Sequence, residues 1–205
     1  YYKVIINKYF KYSHEISQNI YKLKRNINNI DDVKIFSTDI NDLERKITLF
    51  HSNVVSEFTK KKDFGIDLIG FHGQTILHSP KNKYSKQLGD GNLLSQLSKK
   101  KVIYNFRQND LLNGGDGAPL SPIFHQMIVK EKKIDLPVCI LNIGGISNLT
   151  LIEDLKEENL ISRDIGPGNC LIDEWIRRNK KGTYDIDGKF ANCGKTNKLI
   201  LNQAL

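Results

Sequence analysis

The segment that most constrains this chain runs from Val102 to Gln126, VIYNFRQNDLLNGGDGAPLSPIFHQ. A short apolar run, Val102, Ile103 and Tyr104, predicts a buried strand. The strand gives way to Asn105, Phe106 and Arg107 and, after two polar residues, to Asp110. A turn without bulk follows, Gly114, Gly115, Asp116, Gly117 and Ala118, and Pro119 opens a helix-like segment carrying His125. Open α/β sheets bind ligands beyond the carboxyl ends of their strands, where polar residues and glycines lead into a helix. Glycines at such a point let a ligand approach the backbone closely. The plain alternative is a surface Arg107–Asp110 ion pair with glycines that only turn the chain. The cluster of small residues favours a site.

Upstream, Ile16, Ile20, Leu23 and Ile27 recur at spacings of four, three and four, which predicts an amphipathic helix. Thr38 or Asp39 can cap a longer one, in which Ile40, Leu43, Ile47, Phe50, Val54 and Phe58 form an apolar stripe flanked by His51. At Ile66 the pattern changes to a short β-prone run ending at Phe71, followed by His72-Gly73-Gln74-Thr75 and a second run, Ile76-Leu77. The tight turn would present His72 and Gln74 to the same space. Gln87 to Gly91 reads as another strand-end turn before a helix at Asn92–Leu97.

Downstream, Pro137–Ile143 reads as a buried strand that turns at Gly144-Gly145 and returns as Leu149–Ile152, a hairpin whose tip could offer backbone N–H groups to an anion. Glu153 to Asn159 is an acidic loop. Arg163-Asp164-Ile165-Gly166-Pro167-Gly168-Asn169 leads into a helix with Leu171, Ile172, Trp175 and Ile176 on one face. Glycine and asparagine at that helix start leave donors for a phosphate or sugar oxygen. Asp164 could hold a metal ion or a hydroxyl, or cap the turn. Tyr184–Gly188 lacks the later oxygen ligands of a calcium loop, so no protein metal site is read. A helix start is read at Lys195–Leu205.

The net charge of +8 raises a nucleic-acid reading, but its distribution argues against one. Residues 1–62 carry 12 Lys/Arg against 7 Asp/Glu, whereas residues 103–205 balance at 13 and 13. The excess is peripheral lysine with few interleaved aromatics, so no nucleic-acid partner is expected. No apolar run is long enough to span a bilayer, so no membrane role is expected. Three widely spaced cysteines, Cys139, Cys170 and Cys193, fit reduced thiols in a cytoplasmic protein. The first residue is Tyr1, so the chain is expected to begin inside a longer protein.

Four strings in this order resemble the anhydro-N-acetylmuramic acid kinase family: GFHGQT (Gly70 to Thr75), NFRQNDLLNGGDGAPL (Asn105 to Leu120), NIGGISNLT (Asn142 to Thr150) and DIGPGNCLIDEW (Asp164 to Trp175). YDIDGKFANCGK (Tyr184 to Lys195) is similar to a further family segment. The resemblance implies an α/β fold of the actin/Hsp70/sugar kinase (ribonuclease H-like) type, incomplete here, with parts of two lobes and a nucleotide cleft. Residues 1–130, including a helical segment at 1–62, would form most of the N-terminal sugar-binding lobe, and residues 131–205 the start of the C-terminal nucleotide-binding lobe. It also implies an ATP- and Mg²⁺-dependent reaction in peptidoglycan recycling. Water opens the 1,6-anhydro ring of anhydro-N-acetylmuramic acid and O6 takes the γ-phosphoryl group, giving N-acetylmuramic acid 6-phosphate. Asp110 matches the catalytic general base. Arg107, His72, Gln74 and Asn105 would contact the sugar; Gly144, Gly145, Asp164, Gly166, Gly168 and Asn169 would contact the nucleotide. A homodimer is the family's common state.

The chain departs from the family pattern at two positions. Asn105 stands where the family usually has Asp, and Asp116 where it usually has Gln. The family's N-terminal phosphate loop would precede Tyr1 and its adenosine-side glycine segment would follow Leu205. The 205-residue chain alone is therefore expected to be inactive. The alternative reading is a degenerate, non-catalytic sugar-binding domain of the same fold.

Overall fold

The structure is a computed structural model describing residues 3–61, 65–156 and 159–204; residues 1, 2, 62–64, 157, 158 and 205, which include parts of the expected helical segment and acidic loop, lie outside it. It is an α/β chain that divides into two compact units between Leu120 and Ser121. No helix among the described residues is long and apolar enough to cross a membrane.

The first unit opens with helices α1 (His14–Asn26), α2 (Ile30–Ile35) and α3 (Ser37–Lys61). Ser13 caps α1 by accepting the Ile16 N–H at 3.2 Å, which satisfies one of the orphan donors of a helix start. The apolar spacing then turns Ile16, Leu23 and, at the C-cap, Ile27 inward. Helix α2, too short for periodicity to show, is nucleated by a capping box between Asn29 and Asp32. Helix α3 starts at Ser37, a residue before the caps expected at Thr38 or Asp39.

Helix α3 is the spine of this unit. Ile40, Leu43 and Ile47 are 2 %, 2 % and 0 % exposed and pack with the α1 residues and with Phe71, Ile76, Leu88 and Leu94. Polar ties add register. Lys86 reaches Glu44 at 2.8 Å, and the Asp90 N–H donates to the buried Thr48 hydroxyl at 2.9 Å, which donates to the Glu44 carbonyl at 2.7 Å. His51 flanks the apolar stripe, half-buried. It is inserted among Tyr12, Phe50 and Phe71, and its Nε2 lies 2.8 Å from the Tyr12 hydroxyl.

Strand β1 (Leu68–Gly70) pairs in parallel with β4 (Lys101–Ile103), while β2 (Gln74–Ser79) and β3 (Tyr84–Leu88) form an antiparallel hairpin between them. The run expected from Ile66 to Phe71 is thus a shorter strand, although the Phe71 N–H still donates to the Ile103 carbonyl at 2.8 Å. Helix α4 (Gly91–Ser98), capped by the Asp90 side chain on the Leu93 N–H, returns the chain to β4. Because β1 and β4 run the same way, their carboxyl ends lie side by side. One exit leads to His72; the other leads through Asn105 into α5 (Phe106–Leu112).

The second unit holds α6 (Ser121–Lys132), an antiparallel sheet of β5 (Val138–Ile143), β6 (Ile146–Ile152) and β7 (Leu160–Pro167), then α7 (Cys170–Arg178), α8 (Lys189–Cys193) and α9 (Lys198–Ala204). Pro119 lies before α6 rather than in it. Two expectations change. Strand β5 is an edge strand with Leu141 and Ile143 exposed, not a buried one. Of the α7 face, Ile176 is buried while Leu171, Ile172 and Trp175 are exposed. Periodicity defines a face but does not say what covers it.

If α3 is the spine of the first unit, Ile47→Ala should destabilise it by about 2–5 kcal/mol through lost contacts and a residual cavity. Urea unfolding followed by circular dichroism measures this; an unchanged midpoint would contradict the packing described.

Candidate active site

The site of the first unit is built on α5 and the turn that follows it. Asn105 starts the helix in the left-handed region, φ 58°, and its side chain makes no cap hydrogen bond. A 3.6-residue period then places Arg107, Asp110 and Leu111 on adjoining faces. Leu111 is 1 % exposed and anchors the helix. Arg107 and Asp110 both turn to Gly117: Asp110 Oδ2 accepts the Gly117 N–H at 2.8 Å, and Arg107 Nη1 donates to the Gly117 carbonyl at 2.8 Å. Neither forms the surface ion pair that was the plain alternative; no Arg107–Asp110 salt bridge occurs among the described residues.

The glycines of this turn have separate reasons. Gly117 is buried, with φ +69°, and a Cβ there would stand 2.8 Å from Leu111 Cγ and 3.0 Å from His78 Cε1. A Cβ on Gly115 would overlap the Asp110 carboxylate itself. The turn is therefore moulded on the acid, and no larger residue fits without moving it.

His72 joins this cluster. Its Nε2 accepts from Arg107 Nε at 2.9 Å, while its Nδ1 lies 3.0 Å from the Gly73 carbonyl, a pair of partners that fixes the Nδ1–H tautomer. Arg107 thereby bridges the ends of β1 and β4. Burial lowers its pKa from the ordinary value, yet a guanidinium stays charged at any working pH. Asp110 Oδ1 has no hydrogen-bond partner among the described residues, so one oxygen of a half-buried carboxylate is held and the other is available.

Gln74 goes elsewhere. Its side chain donates to the Tyr12 hydroxyl at 3.3 Å, beside His51, in a cavity of about 590 Å³ lined by Phe10, Phe50 and Phe58. The hydrogen bonds of His72 and Gln74 therefore lead to different partners. Asp116 is exposed.

Two residues of this neighbourhood were missed by motif reading. Gln108 clamps α5 to the β2–β3 hairpin, accepting the Ser85 N–H at 2.8 Å and donating to the Lys83 carbonyl at 3.0 Å. His78 packs on the Gly117 turn and reaches Ser85 Oγ at 3.1 Å through Nδ1. The only available signals were a second histidine six residues after the first and a glutamine between the Arg and the Asp.

In the second unit, the two glycine turns meet. The Gly168 N–H donates to the Gly145 carbonyl at 2.9 Å, the Asn169 N–H to the Gly144 carbonyl at 2.7 Å and the Cys170 N–H to the Gly145 carbonyl at 3.2 Å. Asn169 Nδ2 adds a bond to the Ile143 carbonyl at 3.1 Å. The donors expected to be free at the start of α7 are thus partly spent on the hairpin tip. Gly144 and Gly145 use their carbonyls, and their N–H groups find no acceptor among the described residues. A Cβ on Gly168 would overlap the Gly144 carbonyl, so the two turns touch through bare backbone. Gly166 sits opposite Ser147 at the end of β7. Asp164 pairs across the sheet with Asn148 and is exposed, and its side chain accepts no hydrogen bond among the described residues, so it is not the turn's cap. Asp185 instead caps α8, accepting the Phe190 and Ala191 N–H groups at 2.9 and 3.0 Å. No group of three or more acidic, histidine or cysteine side chains able to hold a metal occurs among the described residues.

The family model described as anhydro-N-acetylmuramic acid kinase matches residues 4–205. A protein of that name from Pelagibacter ubique (strain HTCC1062) is 53% identical over 204 residues, all of this chain and 54% of the relative. Namesakes from Rhizobium etli and Agrobacterium fabrum are 39% and 42% identical over 161 residues each, covering 77% and 76% of this chain and 43% of each relative. The chain spans about half the length of the curated relatives it matches.

Burial lowers the pKa of His51, His78 and His125 from the ordinary 6.5, at His78 with help from the Arg107 charge and against an opposing push from Asp116. Each neutral ring is favoured when folded, so the unfolded chain binds more protons as pH falls below 6.5. Stability should therefore fall with pH through that window. Urea midpoints at pH 5 and pH 7.5 read the effect; an equal or higher midpoint at pH 5 would contradict the burial of these rings.

Proposed function

Since the chain belongs to the anhydro-N-acetylmuramic acid kinase family, we propose that the whole protein is an ATP-dependent kinase. It opens 1,6-anhydro-N-acetylmuramic acid hydrolytically and phosphorylates O6, giving N-acetylmuramic acid 6-phosphate and ADP in cytoplasmic peptidoglycan recycling. The fold proposed is the two-lobed actin/Hsp70/sugar kinase type, with the first unit on the sugar side and the second on the nucleotide side. A homodimer and the absence of a nucleic-acid partner belong to the same proposal.

The observation that carries this reading is the held carboxylate of Asp110. Water is a poor nucleophile toward an anomeric carbon, and a positioned base contributes about 10²–10⁴-fold to such a step. Asp110 Oδ1, free while Oδ2 is fixed on the Gly117 N–H, is the atom that takes the proton from the water. The bond that forms is water oxygen to C1; the bond that breaks is C1 to O6. Arg107, fixed by Gly117 and His72, keeps a positive charge beside the base and orients both it and the sugar. Asn105, exposed at the start of α5, keeps hydrogen-bonding capacity toward the sugar without a charge. Gln74 belongs to the same proposed set of sugar contacts, although its side chain here is spent on the Tyr12 hydroxyl.

The second unit's residues fit phosphate. Two glycine N–H groups at the hairpin tip are unspent, and the adjoining turn is bare backbone, which suits close approach of an anion. Gly144 and Gly145 would hold phosphate oxygens, with Gly166, Gly168 and Asn169 shaping the turn and Asp164 a further contact on the nucleotide side. When bound, ATP supplies the phosphoryl group and Mg²⁺ the charge neutralisation on which phosphoryl transfer depends.

Asp110→Asn in the whole protein should lower ring opening by about 10²–10⁴-fold while leaving nucleotide binding unchanged. Product formation from the anhydro-sugar and ATP, with calorimetric titration of ATP, measures both. Normal turnover by the variant would remove Asp110 from the reaction.

A further inference from the structure

We propose that His78 is a positioning residue for Asp110, acting through the Gly117 turn. The inference deepens the kinase assignment and rests on it for its kinetic readout. His78 stands on β2 opposite Ser85 on β3. One side of its ring is anchored in the hairpin: Nδ1 lies 3.1 Å from Ser85 Oγ, and that hydroxyl also accepts from Gln87 Nε2 at 2.7 Å. Ser85 and Gln87 are 6 % and 8 % exposed, so the anchor is a nearly dry polar chain. Breaking either bond to Ser85 Oγ would leave a further buried polar atom unpaired beside Gln87 Oε1, which has no partner, so the bonds that exist are held.

The other side of the ring faces the turn. The nearest side-chain carbons to a Cβ built on Gly117 are Leu111 Cγ and His78 Cε1, at 2.8 and 3.0 Å. Gly117 is thus bound at its N–H by Asp110, bound at its carbonyl by Arg107, and backed by His78 and Leu111. Removing the backing frees the turn to recede. Because the Asp110 Oδ2 bond ends on that turn, the carboxylate would recede with it. The hairpin already grips α5 directly through Gln108, so His78 and Gln108 fix the two parts of the site, turn and helix, to one frame. A residue that only filled space would be replaceable by any side chain of similar volume.

The test uses the whole protein with His78→Leu, which fills most of the ring's volume but makes no polar bond, and Ser85→Ala, which removes only the anchor. His78→Asn, which retains a polar atom for Ser85, is the rescue. The expected result for His78→Leu is a fall in kcat of about 10- to 100-fold with KM for ATP unchanged, as for other groups that orient a catalytic residue. The Gly117 amide resonance, a direct report of its bond to Asp110, should move and exchange faster with solvent. Ser85→Ala should change both in the same sense by less, and carries both readouts if His78→Leu does not fold. His78→Asn should recover part of the loss. An unmoved Gly117 amide in the folded variant overturns the proposal whatever the kinetics. A fall in kcat matched by an equal change in KM for ATP, without an amide shift, also overturns it, as that marks a general structural role. Absence of turnover in the unsubstituted protein would count against the kinase assignment instead, and the amide readout would still decide the positioning claim.

Discussion

One residue, Gly117, organises the first unit's site. A guanidinium holds its carbonyl and a carboxylate holds its N–H, both at 2.8 Å. Charge-assisted hydrogen bonds of this kind are shorter and stronger than neutral ones and fix direction as well as distance. Arg107 and Asp110 are one helical turn apart on α5, near enough to pair, yet each turns to Gly117 instead. The glycine turn satisfies both without neutralising either. A carboxylate fixed at one oxygen and open at the other is what a general base requires.

That arrangement depends on the scaffold beneath it. Helix α3 supplies the buried stripe on which α1, the hairpin and α4 pack. The parallel pairing of β1 with β4 brings two chain exits together, so that a residue from each, His72 and Arg107, can bond. An antiparallel pair would have sent them to opposite ends of the sheet. The buried Ser85, itself bonded by Gln87, holds the imidazole of the half-buried His78. The chain of dependence runs from apolar spacing in α3, through strand direction, to the rotamer of one acid.

Much of this could be read from residues alone, and the parts that could not share a cause. Helices α1 and α3 followed from apolar spacing because burial on one face imposes a period. The glycine run after Asp110 marked a place where side chains cannot fit, and the overlap of a Cβ on Gly115 with Asp110 is the physical content of that signal. Helix α2 was invisible to periodicity, and its Asn29–Asp32 capping box is a local signal that periodicity does not weigh. The exposure of β5 and of the α7 face could not be read because an apolar run looks the same whether or not something covers it. His78, Gln108 and the Tyr12–Gln74 bond escaped because each depends on partners 7 to 62 residues away. Spacing within a motif reports contacts along the chain. It cannot report which residue a fold brings across to it.

A crystal structure of the whole protein with the anhydro-sugar bound tests most directly whether the Gly117 turn presents Asp110 to that sugar. Asp110 Oδ2 should remain on the Gly117 N–H while Oδ1 lies within about 2.6–3.2 Å of a water facing the anomeric carbon. A sugar bound away from Asp110, or a carboxylate that leaves Gly117 to pair with Arg107, would contradict this geometry.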